Sequence, residues 1–146
     1  MFRVLCLLTF AAWALSAQSS FRAAVAKTDI TPDQPQWLLG YAARMSKGVY
    51  DRIYHRMVLL DDGRTRFALV SSDIALVSPA EYDRVAALVE RKLGIPPLQF
   101  WWSVTHTHSA PEVGPPGLPV VFLGDRYKHE FNAAYADLVA QRLVEG

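Results

Sequence analysis

The chain has 146 residues, 51% of them hydrophobic, and its 15 Lys/Arg nearly balance 14 Asp/Glu for a formal net charge of +1. That balance, with no polybasic run, excludes the basic footprint of a nucleic-acid binder and gives no electrostatic reason to dock on an anionic membrane. The one cysteine, Cys6, allows neither a disulfide framework nor a cysteine-ligated metal.

The opening "MFRVLCLLTFAAWALSA" places one positive charge, Arg3, before an apolar core over residues 4–15, with small residues at Ser16 and Ala17. This is the layout of a secretory signal peptide, and the apolar run falls short of the ~20 residues that span a membrane. Cleavage is expected near Ala17. It would leave residues 18–146 as an exported chain, secreted or periplasmic, and formally neutral because Arg3 is the only charge lost. Without disulfides such a chain depends on its core, and its length suits one ordinary domain.

"FRAAVAKTDITP", residues 21–32, predicts a strand ended where Pro32 removes a donor and restricts Thr31. Residues 33–51 show few features of a twofold or 3.6-residue period and are expected to form a long structured loop. Two apolar runs, residues 53–60 and 66–74, flank "DDGRT" and predict a β-hairpin turning at Asp62-Gly63. Both arms are apolar on nearly every central residue, which predicts a sheet covered on both faces.

Next comes a helix over 79–93. Ser78 can cap it, Pro79 suits its first position and Glu81 completes a Ser-x-x-Glu capping box. Tyr82, Val85, Ala86, Val89 and Leu93 keep one apolar stripe until Gly94 and Pro96 end it. "LQFWWSVTHT" then reads as a strand inside the sheet, and the Pro/Gly-rich residues 111–125 as a loop without regular structure. A last helix is expected over about 127–144, with Phe131, Ala134, Tyr135, Leu138 and Val139 on one side. The order predicts an α/β or α+β layered domain, a mixed sheet with helices packed on it. Because the chain stops directly after that helix, it is expected to be the N-terminal portion of a larger catalytic domain.

"WWSVTHTHSAP", residues 101–111, carries the chemistry-bearing pattern. On a strand, residues two apart share a face, so His106 and His108 would point one way and Thr105 and Thr107 the other. Two imidazoles placed so can converge on one ion or one substrate, at the end of a buried strand, where α/β folds put chemistry. Equally, they can hydrogen-bond at a strand end, and His-x-His spacing alone does not decide. A metallo-β-lactamase pattern, His-x-His-x-Asp-His, fails because Ala110 and Pro111 stand at its last two places. An amidohydrolase barrel would put this strand first, and here three strand-like runs precede it.

Other residues read less sharply. Asp73, ending an apolar strand, suits either a site-lining carboxylate or a water-exposed loop. His55 reads as structural and His129 as a solvated helix residue. Trp101 and Trp102 face opposite sides and read as core or sheet-covering residues. "GLPVVFLG" is apolar enough to contact an acyl chain or to fold back on its own domain.

Five pieces in order, "AVAKTDITP", "GYAAR", "GVYDRIYHRMVLLDDG", "ALVSSDI" and "THTHSAP", resemble the neutral/alkaline non-lysosomal ceramidase family over about residues 23–111. The resemblance implies a zinc-dependent hydrolase that cleaves the N-acyl amide of ceramide to sphingosine and a fatty acid. It implies that His106 is a zinc ligand and that His108 stands beside the metal and contacts the reacting amide. The remaining ligands implied, a histidine, a glutamate and a tyrosine, would lie downstream of these 146 residues. Two departures stand out: Tyr50-Asp51-Arg52 replaces an expected His-Asp-Pro, and Ala110 replaces a frequent glycine.

The chemistry agrees with the residue types. An amide is a poor electrophile, and zinc both polarises its carbonyl and lowers the pKa of bound water to ~7. His106 as neutral imidazole can ligate, His108 can donate to the carbonyl oxygen or shuttle a proton, and Asp73 and Ser109 could orient the rings from behind. A ceramide-like lipid substrate implies peripheral contact with a membrane; the oligomeric state is not encoded legibly. Two other readings stay open: an exported, noncatalytic lipid-binding or surface protein that keeps the front of the fold, and a metal hydrolase of another amide or ester.

Overall fold

The computed structural model describes residues 21–114, 121, 124–127 and 131–146. The signal segment, His129 and most of "GLPVVFLG" lie outside the described residues.

The larger sheet is built from β1 (Arg22–Asp29), β4 (Tyr54–Asp61), β5 (Arg66–Ser72) and β6 (Phe100–Val104), in the order β1-β4-β5-β6. β1 with β4 and β4 with β5 are antiparallel, whereas β5 and β6 run parallel, so the sheet is mixed. The parallel pair needs a crossover, supplied by α1 (Pro79–Leu93). A second helix, α2 (Ala133–Glu145), packs beside α1 and on β1. Three short strands, β2 (Trp37–Leu39), β3 (Arg44–Met45) and β7 (Ala110–Pro111), form a separate sheet in the order β3-β2-β7. This is an α+β arrangement with helices on one side of a mixed sheet, as the order of elements predicts.

Local signals account for much of it. At the hairpin, Asp62 Oδ1 accepts from the Arg64 and Thr65 amides, Asp61 Oδ1 accepts from Gly63, and Gly63 takes φ 86°, which glycine adopts freely. Ser78 Oγ accepts from the Glu81 amide at 3.2 Å, and Gly94 closes α1 in the left-handed conformation at φ 64°. The Glu81 carboxylate, expected to complete a capping box, instead makes two 2.8 Å bonds to Arg84 one turn on. Inward from the sheet point Val70, Phe100 and Trp102, which meet Val85, Ala86 and Val89 of α1 and Tyr135, Val139 and Leu143 of α2 in one core. Each valine, leucine or phenylalanine among them contributes roughly 1.5–3 kcal/mol when taken from water.

A polar chain crosses this core. The Trp102 indole donates to Ser72 Oγ (2.7 Å), the Ser72 hydroxyl donates to His55 Nδ1 (2.5 Å), and His55 Nε2–H donates to the Val139 carbonyl of α2 (2.9 Å). His55 is fully buried. Burial holds its imidazole pKa below the ordinary value, against the opposing pull of the Val139 bond and Asp73. Tyr135 fastens the same helix to the end of β1 by donating to the Ile30 carbonyl at 2.8 Å, and burial, with Asp29 nearby, pushes its phenol pKa up.

Several expectations need correction. Among the described residues nothing covers the second face of the sheet: opposite the helices, Val25 is 81%, Trp101 62% and Leu69 38% exposed. Apolar residues on both faces of a strand do not by themselves supply a second layer. β6 is an edge strand among the described residues, not an inner one, although Phe100 and Trp102 are buried by the helices. β2 and β3 within residues 33–51, and β7, which reaches the first residue of 111–125, form regular pairs too short to show a period. The last helix begins at Ala133, where the Asn132 side chain caps it by accepting from the Tyr135 amide.

Candidate functional site

β6 ends at Val104, and the Thr105 amide still donates to the Ser72 carbonyl at 3.0 Å. At His106 the backbone turns into the left-handed region, φ 60°, a conformation uncommon outside glycine and one that histidine tolerates better than most. The turn changes the reason the two histidines meet. They are not neighbours on one strand face, as the spacing predicts; the bend after the strand swings both rings together, with centroids 4.9 Å apart and planes at 69°.

The ring nitrogens have distinct partners. His106 Nδ1 is 2.6 Å from the carbonyl of Ala75, so it must carry the proton and donate. That leaves His106 Nε2 as a lone pair, and it lies 3.2 Å from His108 Nε2. For that contact to be a hydrogen bond, His108 must be protonated on Nε2. Its other nitrogen, Nδ1, is buried with no hydrogen-bond partner among the described residues, which suits a lone pair better than an unpaired N–H. The pair therefore holds opposite tautomers: His106 offers a lone pair, and His108 offers a donor at the same point.

Around His108 the small sheet closes in. Leu39 pairs with Ala110, which brings Gly40 alongside the histidine loop. Gly40 adopts φ 131°, and a Cβ there would overlap the His108 Cβ and Cγ and lie 2.9 Å from Nδ1. Tyr41, also left-handed at φ 61°, sets its ring against that of His108 with centroids 4.5 Å apart at 73°. Arg44 spans the gap: Nη1 donates to the Gly40 carbonyl at 2.8 Å and Nη2 donates to the His108 carbonyl.

Of the residues expected around the rings, Asp73 is committed elsewhere. Its Oδ2 accepts from the Tyr54 amide at 3.0 Å and from Arg56 at 2.7 Å, tying β4 to β5. Ser109 is exposed, its amide 3.3 Å from the Thr107 hydroxyl. The group that orients His106 is the backbone carbonyl of Ala75, which no side-chain pattern could reveal. Thr107 and Ser109 face a neighbouring cleft of about 890 Å³, lined also by Thr31, Lys47 and the fully exposed Tyr50. No group of three histidine, cysteine or acidic side chains gathers at one point among the described residues. No helix among them is long and apolar enough to cross a membrane.

No family model and no curated protein matches the chain. Its fold is that of a part of the neutral ceramidases. It matches the crystal structure of neutral ceramidase from Pseudomonas aeruginosa with a TM-score of 0.67 and 20% identity, covering 86% of this chain and 20% of that one. A ceramidase complexed with C2 matches with a TM-score of 0.65 and 21% identity, covering 85% of this chain and 20% of the other. The chain thus spans about a fifth of the length of these structures, and at such identity the likeness is one of fold.

Proposed function

We propose that this chain is the part of an exported, zinc-dependent amide hydrolase in which His106 holds the metal and His108 donates to the reacting amide of a ceramide-like lipid. The observation that carries the proposal is the opposite tautomers of the two rings, set by the Ala75 carbonyl on one side and a partnerless Nδ1 on the other.

The residues fit a metal as a partial donor set. His106 Nε2 is a lone pair whose ring is fixed from behind by a backbone carbonyl, the support that metal-bound histidines normally have. Catalytic zinc takes about three protein ligands, and the described residues bring at most two imidazoles to this point. Further ligands would come from polypeptide beyond these residues, in keeping with the fraction of the ceramidase structures that the chain spans. Zinc, when bound, would polarise an amide carbonyl and lower the pKa of a water molecule.

The chain's own groups divide the remaining work. With the His106 lone pair engaged, the His108 Nε2–H loses its acceptor and is free to donate a hydrogen bond to a carbonyl oxygen. The neighbouring cleft, with Lys47, Tyr50 and Ser109 on its wall, is where the polar end of a lipid would sit. Tyr50 stands where a histidine is expected from the resemblance, so headgroup selection is the property most open to difference. The test is fatty-acid release from ceramide by the full-length gene product. Turnover abolished by a chelator and restored by zinc supports the proposal; turnover indifferent to chelation, or none on any N-acyl lipid, rejects it.

A further inference from the structure

We infer that Gly40, Tyr41 and Arg44 form a clamp that sets where the His108 ring points, with Arg44 as a positioning residue of the site. The inference rests on the reading of His108 as the donor to the amide.

His108 has no regular structure to hold it, because it lies in a loop between β6 and β7. What fixes it comes from a segment more than sixty residues earlier. One guanidinium takes two backbone carbonyls, Gly40 and His108, and so locks the two loops in one register. A planar fork can hold two acceptors at once in a way that an ammonium cannot. On one side of the ring, Gly40 approaches so closely that no side chain fits, in a backbone conformation that only glycine adopts without strain. On another, the Tyr41 edge contact blocks rotation. Tyr41 is 76% exposed, so burial does not explain its ring position or its positive φ. Strained backbone of this kind persists where the surroundings over-determine it, often at functional sites. With these sides closed, Nε2 is left facing His106.

Arg44 is exposed and does not touch either imidazole nitrogen, so it acts through His108 and not on substrate. Its loss should lower kcat by about 10²-fold, the order expected when a catalytic group is misplaced by an ångström, with KM little changed. The experiment compares Arg44→Gln and Arg44→Lys in the full-length protein, without metal, by side-chain proton–nitrogen correlation and nuclear Overhauser spectra. The wild type should show His108 ring protons close to the Tyr41 ring and the Gly40 α-protons, and a single protonated Nε2. Both variants should lose these contacts and average the His108 tautomers, while the buried His55 signals stay in place. Rescue by lysine would mean that charge suffices, and unchanged His108 spectra would mean that no clamp exists; either result overturns the inference. Should Arg44→Gln fail to fold, Tyr41→Ala at its exposed position makes the same comparison. The spectra decide the clamp whether or not the protein hydrolyses an amide, so a failure of the proposed activity is read separately from kcat.

Discussion

Two histidine environments stand within one small fold and are built on opposite terms. His55 lies fully buried near the start of the inner strand β4 with both ring nitrogens satisfied, one by the Ser72 hydroxyl and the other by the Val139 carbonyl, and with Trp102 closing the chain. His106 and His108 lie past the end of β6, where one nitrogen is anchored by a backbone carbonyl, one is sealed without a partner among the described residues and two face each other. Complete satisfaction makes a group structural, because any change of state has to break a bond. A pair whose only mutual link is a 3.2 Å contact can exchange that link for a ligand at little cost.

Stability should divide along the same line. Replacing His55 with alanine leaves the Val139 carbonyl and the Ser72–Trp102 pair short of a partner beside a new cavity, and is expected to cost about 3 kcal/mol. Denaturant titration of the variant would measure it. A loss under about 1 kcal/mol would mean that the network contributes little and that the contrast with the loop histidines is false.

Acid should expose the contrast next. The folded pKa of His55 lies below that of the unfolded chain, about 6.5, because burial disfavours the charged form. Between the two values the unfolded chain binds more protons, so the stability His55 confers is complete above about pH 6.5 and is lost as the pH falls through the folded pKa. Protonation would leave Ser72 Oγ facing two donors, the ring and the Trp102 indole. His55→Gln, which can donate to Val139 and accept from Ser72 without titrating, should flatten this part of the profile. A profile of unchanged slope would assign the acid sensitivity to other groups.

The smallest effect is expected at the loop. His106→Ala removes the bond to the Ala75 carbonyl and the contact with His108, and His108→Ala removes that contact alone, all outside the core, so each should lower stability by no more than about 1 kcal/mol. Thermal melting of the two variants beside His55→Ala gives the comparison directly. Equal destabilisation by all three would erase the distinction between the buried histidine and the loop pair.

Much of this molecule was legible in its residues where the signals are local. Ser78, Pro79 and Gly94 mark α1 to the residue, because capping is decided within one turn. The Asp62-Gly63 turn marks the hairpin for the same reason. Packing partners are another matter: Val58 and Leu69 pair on the open face while Met57 and Val70 pair on the helix side, and a run apolar throughout does not say which face will be covered. The histidine pair was visible as a motif, but the turn that joins it depends on a positive φ at His106, which histidine does not advertise. Least legible of all was the role of "GYAAR". Gly40 and Arg44 act on a residue more than sixty positions away, and only the positive φ and close approach at Gly40 mark them once the fold is known.

The proposed division of labour between His106 and His108 is tested most directly by metal analysis and turnover of His106→Ala and His108→Ala in the full-length gene product. The tautomers predict that His106→Ala loses zinc together with fatty-acid release, whereas His108→Ala keeps most of its zinc and still loses turnover. Equal loss of zinc from both variants, or retention by both, would contradict the account.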